Sequence, residues 1–559
     1  MSYKDAVTDT VQQVTYYSYD QIGNVKTLWQ QMLGLEMKQI EYKYDLVSGK
    51  VNKVRYNYQD DRNDQFWYAY DYDADNRVIK SATGVNTVSS DGWDIENPRT
   101  DAGYRYYYHG PLARMELGHD QLVQGVDYAY TLQGWLKQVN SQFLSPAADM
   151  GGDGVANKVR SVVAPDLYGY SLDYYKGDYK PIAGALALGW TDGSTLEIGR
   201  NLYNGNISLS TMALSQFNNT VGYSYRYDQL NRLKSMRQHS LSSSTPSWSS
   251  STAGDAYRED VTYDANGNIL TYFRNGSGAN GKGVGMDNLT YGYSKDANGY
   301  LLNNKLLQVN DAVTSSEYTE DLKNQGSNNY SYDSIGNLVK EVQAGITKVE
   351  WTVYGKIKSI TLGDTSSLEY RYDAGGNRVY KGYTHNGVIN KTWYVRDAQG
   401  NTLSVYGTKG GGDQVYWQEQ DLYGSSRLGI WEPGMLVATD SSGSIWDQAD
   451  RKRYELSNHL GNVLVTLGDY LEGDNKAVVY SAQDYYPFGM LQVDRRYSLN
   501  EYRYGFNGKE NDNEVKGDGN EQDYGMRVYD PRLGKFLSVD PLTKEYLWYS
   551  PYHFAGTAQ

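Results

Sequence analysis

The chain contains no cysteine, so neither disulfides nor thiolate metal sites contribute to its fold and stability has to come from packing alone. Its six histidines, His109, His119, His239, His385, His459 and His553, are scattered and show no metal-ligand spacing. No apolar run is long enough to span a bilayer. The longest mild stretch, Ile182 to Trp190, is far too short. The opening Met1-Ser2-Tyr3-Lys4-Asp5 has no apolar signal core, so no export signal is expected in this chain. An excess of positive charge is lacking as well: the formal net charge is -14, which disfavours a nucleic-acid partner, because phosphate binding rests on Lys and Arg. There is no glycine-rich phosphate loop and no nucleophile matched to a base, so no cofactor is expected and an enzyme acting on external substrates ranks last.

What the chain has in abundance is tyrosine (57) and glycine (59), against 8 phenylalanines and 11 prolines in 559 residues. Strand-forming aromatics combined with turn-permissive residues point to an all-β fold.

A repeat carries the pattern further. Its unit is Tyr-x-Tyr-Asp-x-x-Gly-Asn followed by an apolar residue. The clearest copies hold Tyr17, Tyr19, Asp20 and Gly23 in one place and Tyr330, Tyr332, Asp333 and Gly336 in another, with Tyr370, Tyr372, Asp373 and Gly376 forming a third. Related copies carry Asp45, Asp73, Asp228 and Asp264, and decayed ones lose the aspartate, as at Tyr128-Ala129-Tyr130-Thr131. Tyr at i and i+2 lies on one sheet face, Asp caps a turn, and Gly takes the φ > 0 position before the return strand. Each unit therefore reads as a β-hairpin. A single hairpin cannot bury its tyrosines, so successive hairpins are expected to pair into one coiling sheet. Ser141 to Val163 and Ser240 to Gly254 read as exposed inserts. The stretch from Ala164 to Thr220 loses the full unit but keeps enough alternation to stay within the sheet.

From about Trp393 the vocabulary changes, through Ser457-Asn458-His459-Leu460-Gly461-Asn462 and Asp484-Tyr485-Tyr486-Pro487-Phe488-Gly489 to Tyr504-Gly505-Phe506-Asn507-Gly508-Lys509-Glu510. It ends in Gly525-Met526-Arg527-Val528-Tyr529-Asp530-Pro531-Arg532-Leu533-Gly534-Lys535-Phe536-Leu537-Ser538-Val539-Asp540-Pro541. These motifs, with the repeats, resemble the RHS (YD) repeat family and its terminal RHS core-associated domain, in the form typical of Bacteroidota proteins. The resemblance implies a hollow β-cocoon, or part of one: a spiralling hairpin sheet closed by the terminal module. It divides the chain into a repeat shell over 1–392, a continuing shell over 393–500, and a core-associated module over 501–559 that lacks the family's later segment.

By the same resemblance the protein is expected to be the encapsulating scaffold of a polymorphic toxin or secretion-system effector, secreted or at the cell surface after delivery. Its partners would be a C-terminal toxin cargo, an immunity protein and a secretion apparatus. The alternative is a cell-surface protein that binds carbohydrate or adheres to neighbouring cells. In several relatives the terminal module cuts its own chain by an aspartyl mechanism in which one carboxylate activates water and a second stays protonated. The matching candidates are Asp530 and Asp540, with Arg527 and Arg532 as orienting cations. An Asp before Pro is equally an ordinary turn starter, and both readings stand at this point. For the repeat aspartates, turn capping outranks calcium binding, since each turn offers one carboxylate. For the tyrosine stripes, core lining outranks stacking on sugars.

Overall fold

The structure is a computed structural model. It describes all residues except 1, 4–12, 60–61, 147–148, 156–157, 159, 182–198, 218, 242–253, 315–316, 474 and 555–559. The apolar stretch 182–190, most of the 240–254 insert, most of the opening 1–5 and the tail 557–559 thus lie outside the described residues.

Each hairpin is built around its aspartate. Asp20 Oδ1 accepts the backbone N–H of Ile22 and of Asn24 (both 2.9 Å), Oδ2 accepts Asn24 Nδ2 (2.9 Å), and the Gly23 N–H returns to the Asp20 carbonyl (3.2 Å). Gly23 sits at φ +100°, a region where glycine alone is unstrained. Asp333 repeats the arrangement with Ile335 and Asn337. At Asp73 and Asp228 the asparagine amide is replaced by the Nε of Arg77 (2.8 Å) and Arg232 (2.7 Å). These carboxylates are engaged by their own turns, as capping requires. A β-bulge precedes the aspartate in unit after unit, between Ser18 and Tyr19, Ser331 and Tyr332, and Arg371 and Tyr372. Bulges bend the strand and increase its right-handed twist, so the same local device curves the sheet at each unit.

The tyrosine before the aspartate joins one hairpin to the last. Tyr44, Tyr72, Tyr263 and Tyr372 each donate their hydroxyl to the carbonyl of the first return-strand residue one hairpin earlier, Val25, Val51, Leu233 and Ile357, and Tyr227 donates to Ile207, two residues before the strand Leu209–Leu214, all at 2.7 to 2.9 Å. Where tryptophan replaces tyrosine, Trp351 Nε1 makes the equivalent bond to the Leu338 carbonyl (2.7 Å).

Antiparallel pairing runs from each strand to the next within each sheet, except that Met435–Leu436 pairs back onto Tyr416–Tyr423. Nineteen strands between Ser2 and Asp311 form one sheet, fifteen between Tyr330 and Ser498 a second, and four short strands between Glu510 and Phe536 a third. The first sheet breaks between Asp311 and Tyr330, whereas the strand Val388–Arg396 runs on through the point where the sequence vocabulary changes. The 164–220 stretch contributes the strands Tyr168–Asp173 and Leu209–Leu214 to the first sheet. The 141–163 insert departs in part from its expected exposure. Pro146, Met150 and Val162 are exposed, but Ser141, Asp153 and Val163 are buried, and Asp153 neutralises the buried Arg114 (2.7 Å) that also pairs with Asp127.

The second sheet lies across the first and shares one core with it. Phe66 from the first sheet packs among Trp417, Trp431 and Trp446, with centroid separations of 5.4 Å to Trp431 and 5.8 Å to Trp446. Buried polar groups cross the same interface. Lys38 pairs with Asp64, which also accepts the Tyr406 hydroxyl (2.6 Å), and Lys452 pairs with Asp101 (2.5 Å). Over the first hairpins the offset in sequence stays near 350 to 366, with 366 residues for Gln30 to Arg396, 352 for Tyr68 to Gln420 and 351 for Asp101 to Lys452, and it falls to 261 for Tyr223 to Asp484. The later coil therefore tracks the earlier one.

Gln30 closes this seam. Its side-chain amide donates to the Arg396 carbonyl (2.9 Å) and accepts the Arg396 N–H (3.0 Å), standing in for a strand's backbone. Gln30→Met preserves side-chain length but removes both bonds, leaving main-chain groups without partners. It should lower stability by ~1–3 kcal/mol in urea melts and speed amide exchange at Arg396. Unchanged exchange at that amide would show that the seam does not depend on the glutamine.

Candidate functional site

The terminal residues gather around an aromatic nucleus of Phe506, Tyr524, Tyr529, Phe536 and Phe554, in which Tyr529 and Phe554 stack at 4.1 Å. This nucleus holds the four short strands together and presents their connecting segments to the hairpin turns. The Ser550 N–H donates to the Asn266 carbonyl (2.6 Å), the Tyr552 hydroxyl to the Gly336 carbonyl (2.6 Å), and Lys356 Nζ to the Gly525 carbonyl (2.5 Å). Asn507 donates its backbone N–H to Asn462 Oδ1 (2.8 Å) and its side-chain amide to the Leu460 carbonyl (2.9 Å). The module thus seats on the turns of four different hairpins, headed by Asp264, Asp333, Thr352 and Asn458. Ion pairs secure it to the second sheet: Arg378 to Asp512 and Glu510 (both 2.8 Å), Arg503 to Glu419 (2.8 Å), and Lys516 to Glu341 (2.7 Å).

The structure places Asp530 and Asp540 in different surroundings. Asp530 is fully buried; its carboxylate pairs with Lys516 (2.8 Å) and Arg532 (3.3 Å) and accepts the Arg532 N–H (3.0 Å). Burial by itself would raise its pKa, but Lys516 and Arg532 outweigh that effect and hold the carboxyl well below the usual carboxylate range. Arg532 is itself disfavoured by burial, and Asp530 more than restores its charge.

Asp540 lies on the rim of the module, its side chain about one-third exposed (33%), and pairs with Arg527 (2.9 Å) while accepting the Leu542 N–H (2.8 Å). Arg527 lies flat over the Phe536 ring, 3.6 Å from its centroid, and donates to the Pro551 carbonyl (3.4 Å). Burial lowers its pKa and Asp540 opposes that. Among the described residues no hydrogen bond or ion pair joins the two aspartates. Two Asp–Arg pairs result, one sealed and one open to solvent on one side. No group of three or more His, Asp or Glu side chains is arranged to hold a metal among the described residues.

The groups that complete the buried site were missed in the sequence. Lys516 sits on the short helix Asn513–Lys516 and faces Glu341, Glu521 and Asp530 together. Burial lifts Glu521 to about 8, against the pull of Lys516, whose charge is already matched by Asp530 and Glu341. No motif marks these residues, since they come from a charged stretch of ordinary composition and a separate strand.

No family model matches the chain. By sequence it is similar to salivary gland surface protein 1 of Aedes aegypti, at 28% identity over 239 residues, covering 41% of this chain and 6% of the mosquito protein. It is also similar to toxin subunit YenC2 of Yersinia entomophaga, at 25% identity over 343 residues, covering 57% of this chain and 31% of that subunit. Among solved structures it is similar to the TcdB2-TccC3-Cdc42 crystal structure, with a TM-score of 0.51 at 13% identity over 98% of this chain and 26% of that one. The TcdB2-TccC3 crystal structure gives a TM-score of 0.50 over the same shares. The structural likeness establishes a shared all-β fold, and the chain spans under a third of the length of these relatives.

The buried carboxyl generates a pH prediction. With its folded pKa at about 8 against an ordinary 4.5, Glu521 binds a proton in the folded state that the unfolded chain releases. Its contribution is complete below the unfolded value and is lost as pH rises through the folded one. Glu521→Gln should therefore match wild type near pH 4.5 and exceed it by ~2–4 kcal/mol at pH 8. Stability curves that run parallel across this range would contradict the assignment.

Proposed function

We propose that this chain is an RHS-type shell segment of a secreted toxin complex, holding a C-terminal polypeptide cargo. The observation that carries the reading is the way the terminal module clamps the turns of four hairpins while the two large sheets lie coil over coil, so that the array is held from its end. The similarity to toxin subunits of Yersinia entomophaga and the fold shared with the TcdB2-TccC3 structures support it. On this reading the sheets up to about residue 500 are shell and 501–559 is the core-associated module. The partners are the cargo, other subunits of the complex, a delivery apparatus and an immunity protein for the cargo.

The module's exposed pair is the better candidate for self-cleavage. Arg527 and Leu542 hold the Asp540 carboxylate in a fixed orientation on the solvent side, where water and a peptide can approach. Asp530 and Arg532 are locked against Lys516 and serve the fold. An outward glycan-binding stripe gains no support from Tyr44, Tyr72 and Tyr263, whose hydroxyls are engaged by neighbouring hairpins, while Tyr17 and Tyr19 of the first unit are exposed.

The test uses the chain carried through its genomic downstream sequence, with intact mass and protease sensitivity as readouts. Wild type should appear as two fragments, Asp540→Asn as one uncut chain of unchanged thermal stability, and Asp530→Asn as a destabilised protein. An uncut wild type removes self-cleavage and leaves the shell. Digestion of the downstream segment as rapid as when it is made alone removes the shell.

A further inference from the structure

Where both large sheets meet the terminal module there is a cavity of about 90 Å³. One wall comes from the first sheet, with Tyr170 and the thioethers of Met212 and Met236. Another comes from the second sheet at the turn 458–462, and Phe506 of the module closes a third side. His459 borders the cavity with much of its ring accessible, and the protein packed around it pushes its imidazole down to about 4, so the ring is neutral at physiological pH.

Polarity in this cavity is one-sided. Among the described residues, neither ring nitrogen of His459 nor the amide nitrogen of Asn458 has a hydrogen-bond partner, although Asn458 Oδ1 accepts the N–H groups of Leu460 and Asn462 (3.0 and 3.1 Å). Most of the polar groups on the opposite side are already engaged within the wall, the Tyr170 hydroxyl excepted. Asp484 accepts the Tyr223 hydroxyl (2.6 Å) and pairs with Arg495 (3.3 Å), Thr211 bonds Ser171 (2.8 Å), and Ser210 bonds Tyr225 (3.2 Å). What remains open to a ligand is therefore aromatic and thioether surface on most sides, with unpartnered donors and an acceptor on one turn.

A sugar ring carries hydroxyls around its whole rim, and most of them would meet apolar walls and lose their hydrogen bonds, at about 1–3 kcal/mol each. A plain hydrocarbon would leave His459 unpaired. An aromatic ring with a single polar substituent satisfies both sides: its face packs on the rings and methionine sulfurs, and its hydroxyl or N–H reaches His459. We propose that this cavity is a binding site for one phenol-like or indole-like ring, with His459 as the polar anchor and Tyr170, Met212 and Phe506 as the walls. The site needs only the cavity, and stands or falls apart from the shell reading.

The experiment is ligand-observed NMR on the full chain with p-cresol, toluene and methyl glucoside as probes. Wild type should bind p-cresol about tenfold more tightly than toluene, the equivalent of one hydrogen bond of about 1.4 kcal/mol, and should not bind methyl glucoside. His459→Leu should erase the difference between p-cresol and toluene, and Met212→Trp, which fills the space, should abolish binding of both. A competition arm with N-acetyl-tyrosinamide separates the sources. Displacement of p-cresol identifies the ligand as an aromatic side chain on a polypeptide, and failure to displace identifies a free phenol. Equal affinity for p-cresol and toluene in wild type, preference for the glucoside, a p-cresol preference that persists in folded His459→Leu, binding that survives folded Met212→Trp, or no binding at all would overturn the proposal.

Discussion

A tyrosine hydroxyl bonded to the main-chain carbonyl one hairpin back is the interaction on which the rest of this molecule depends. The bond from Tyr263 to Leu233 or from Tyr44 to Val25 is worth about 1 kcal/mol in isolation. Its importance is geometric. It fixes where the next hairpin begins relative to the turn of the last, so the bulge before each aspartate falls at a repeated place and the twist accumulates in one sense. The curvature that brings the second sheet over the first follows from that repetition.

This level of organisation was legible in the sequence because it is local. The aspartate, the glycine and the two tyrosines lie within eight residues, and each does chemistry that the residue type dictates: Asp20 caps its turn and Gly23 takes the left-handed conformation. The contacts between coils were not legible. Gln30 and Arg396, or Lys38, Asp64 and Tyr406, are brought together by accumulated curvature rather than by spacing, and a glutamine in a strand carries no sign that it will pair with a backbone hundreds of residues away. The burial of Asp153 within the 141–163 insert was missed for the same reason. The insert's glycines and polar residues resemble a surface loop until Arg114 supplies a buried charge for Asp153 to neutralise.

The terminal module shows both situations within a few residues. Asp530 and Asp540 each precede a proline and each have an arginine nearby in sequence, so spacing treats them alike. Burial and partners separate them. Lys516, from a short helix, and Glu341, from a distant strand, turn the first into part of a sealed charge cluster, while the second keeps one side open with Arg527 braced on Phe536. A sequence motif names the residues; which of them water can reach is decided by elements outside the motif.

The long offset between facing coils has a consequence during synthesis. A residue such as Phe66 or Tyr68 finds its partners only when the chain some 350 residues later has emerged, since Tyr68 pairs with Gln420 across 352 positions. At translation rates of about 5–20 residues per second, the inner face of the first coil stays uncovered for roughly 20–70 s. During that interval a ladder of aromatic side chains is exposed to other nascent chains, so the cell has to shield it or tolerate aggregation. The hairpins of the first coil, already closed by their own aspartates and tyrosines, leave side-chain faces rather than unpaired strand edges open over most of that surface.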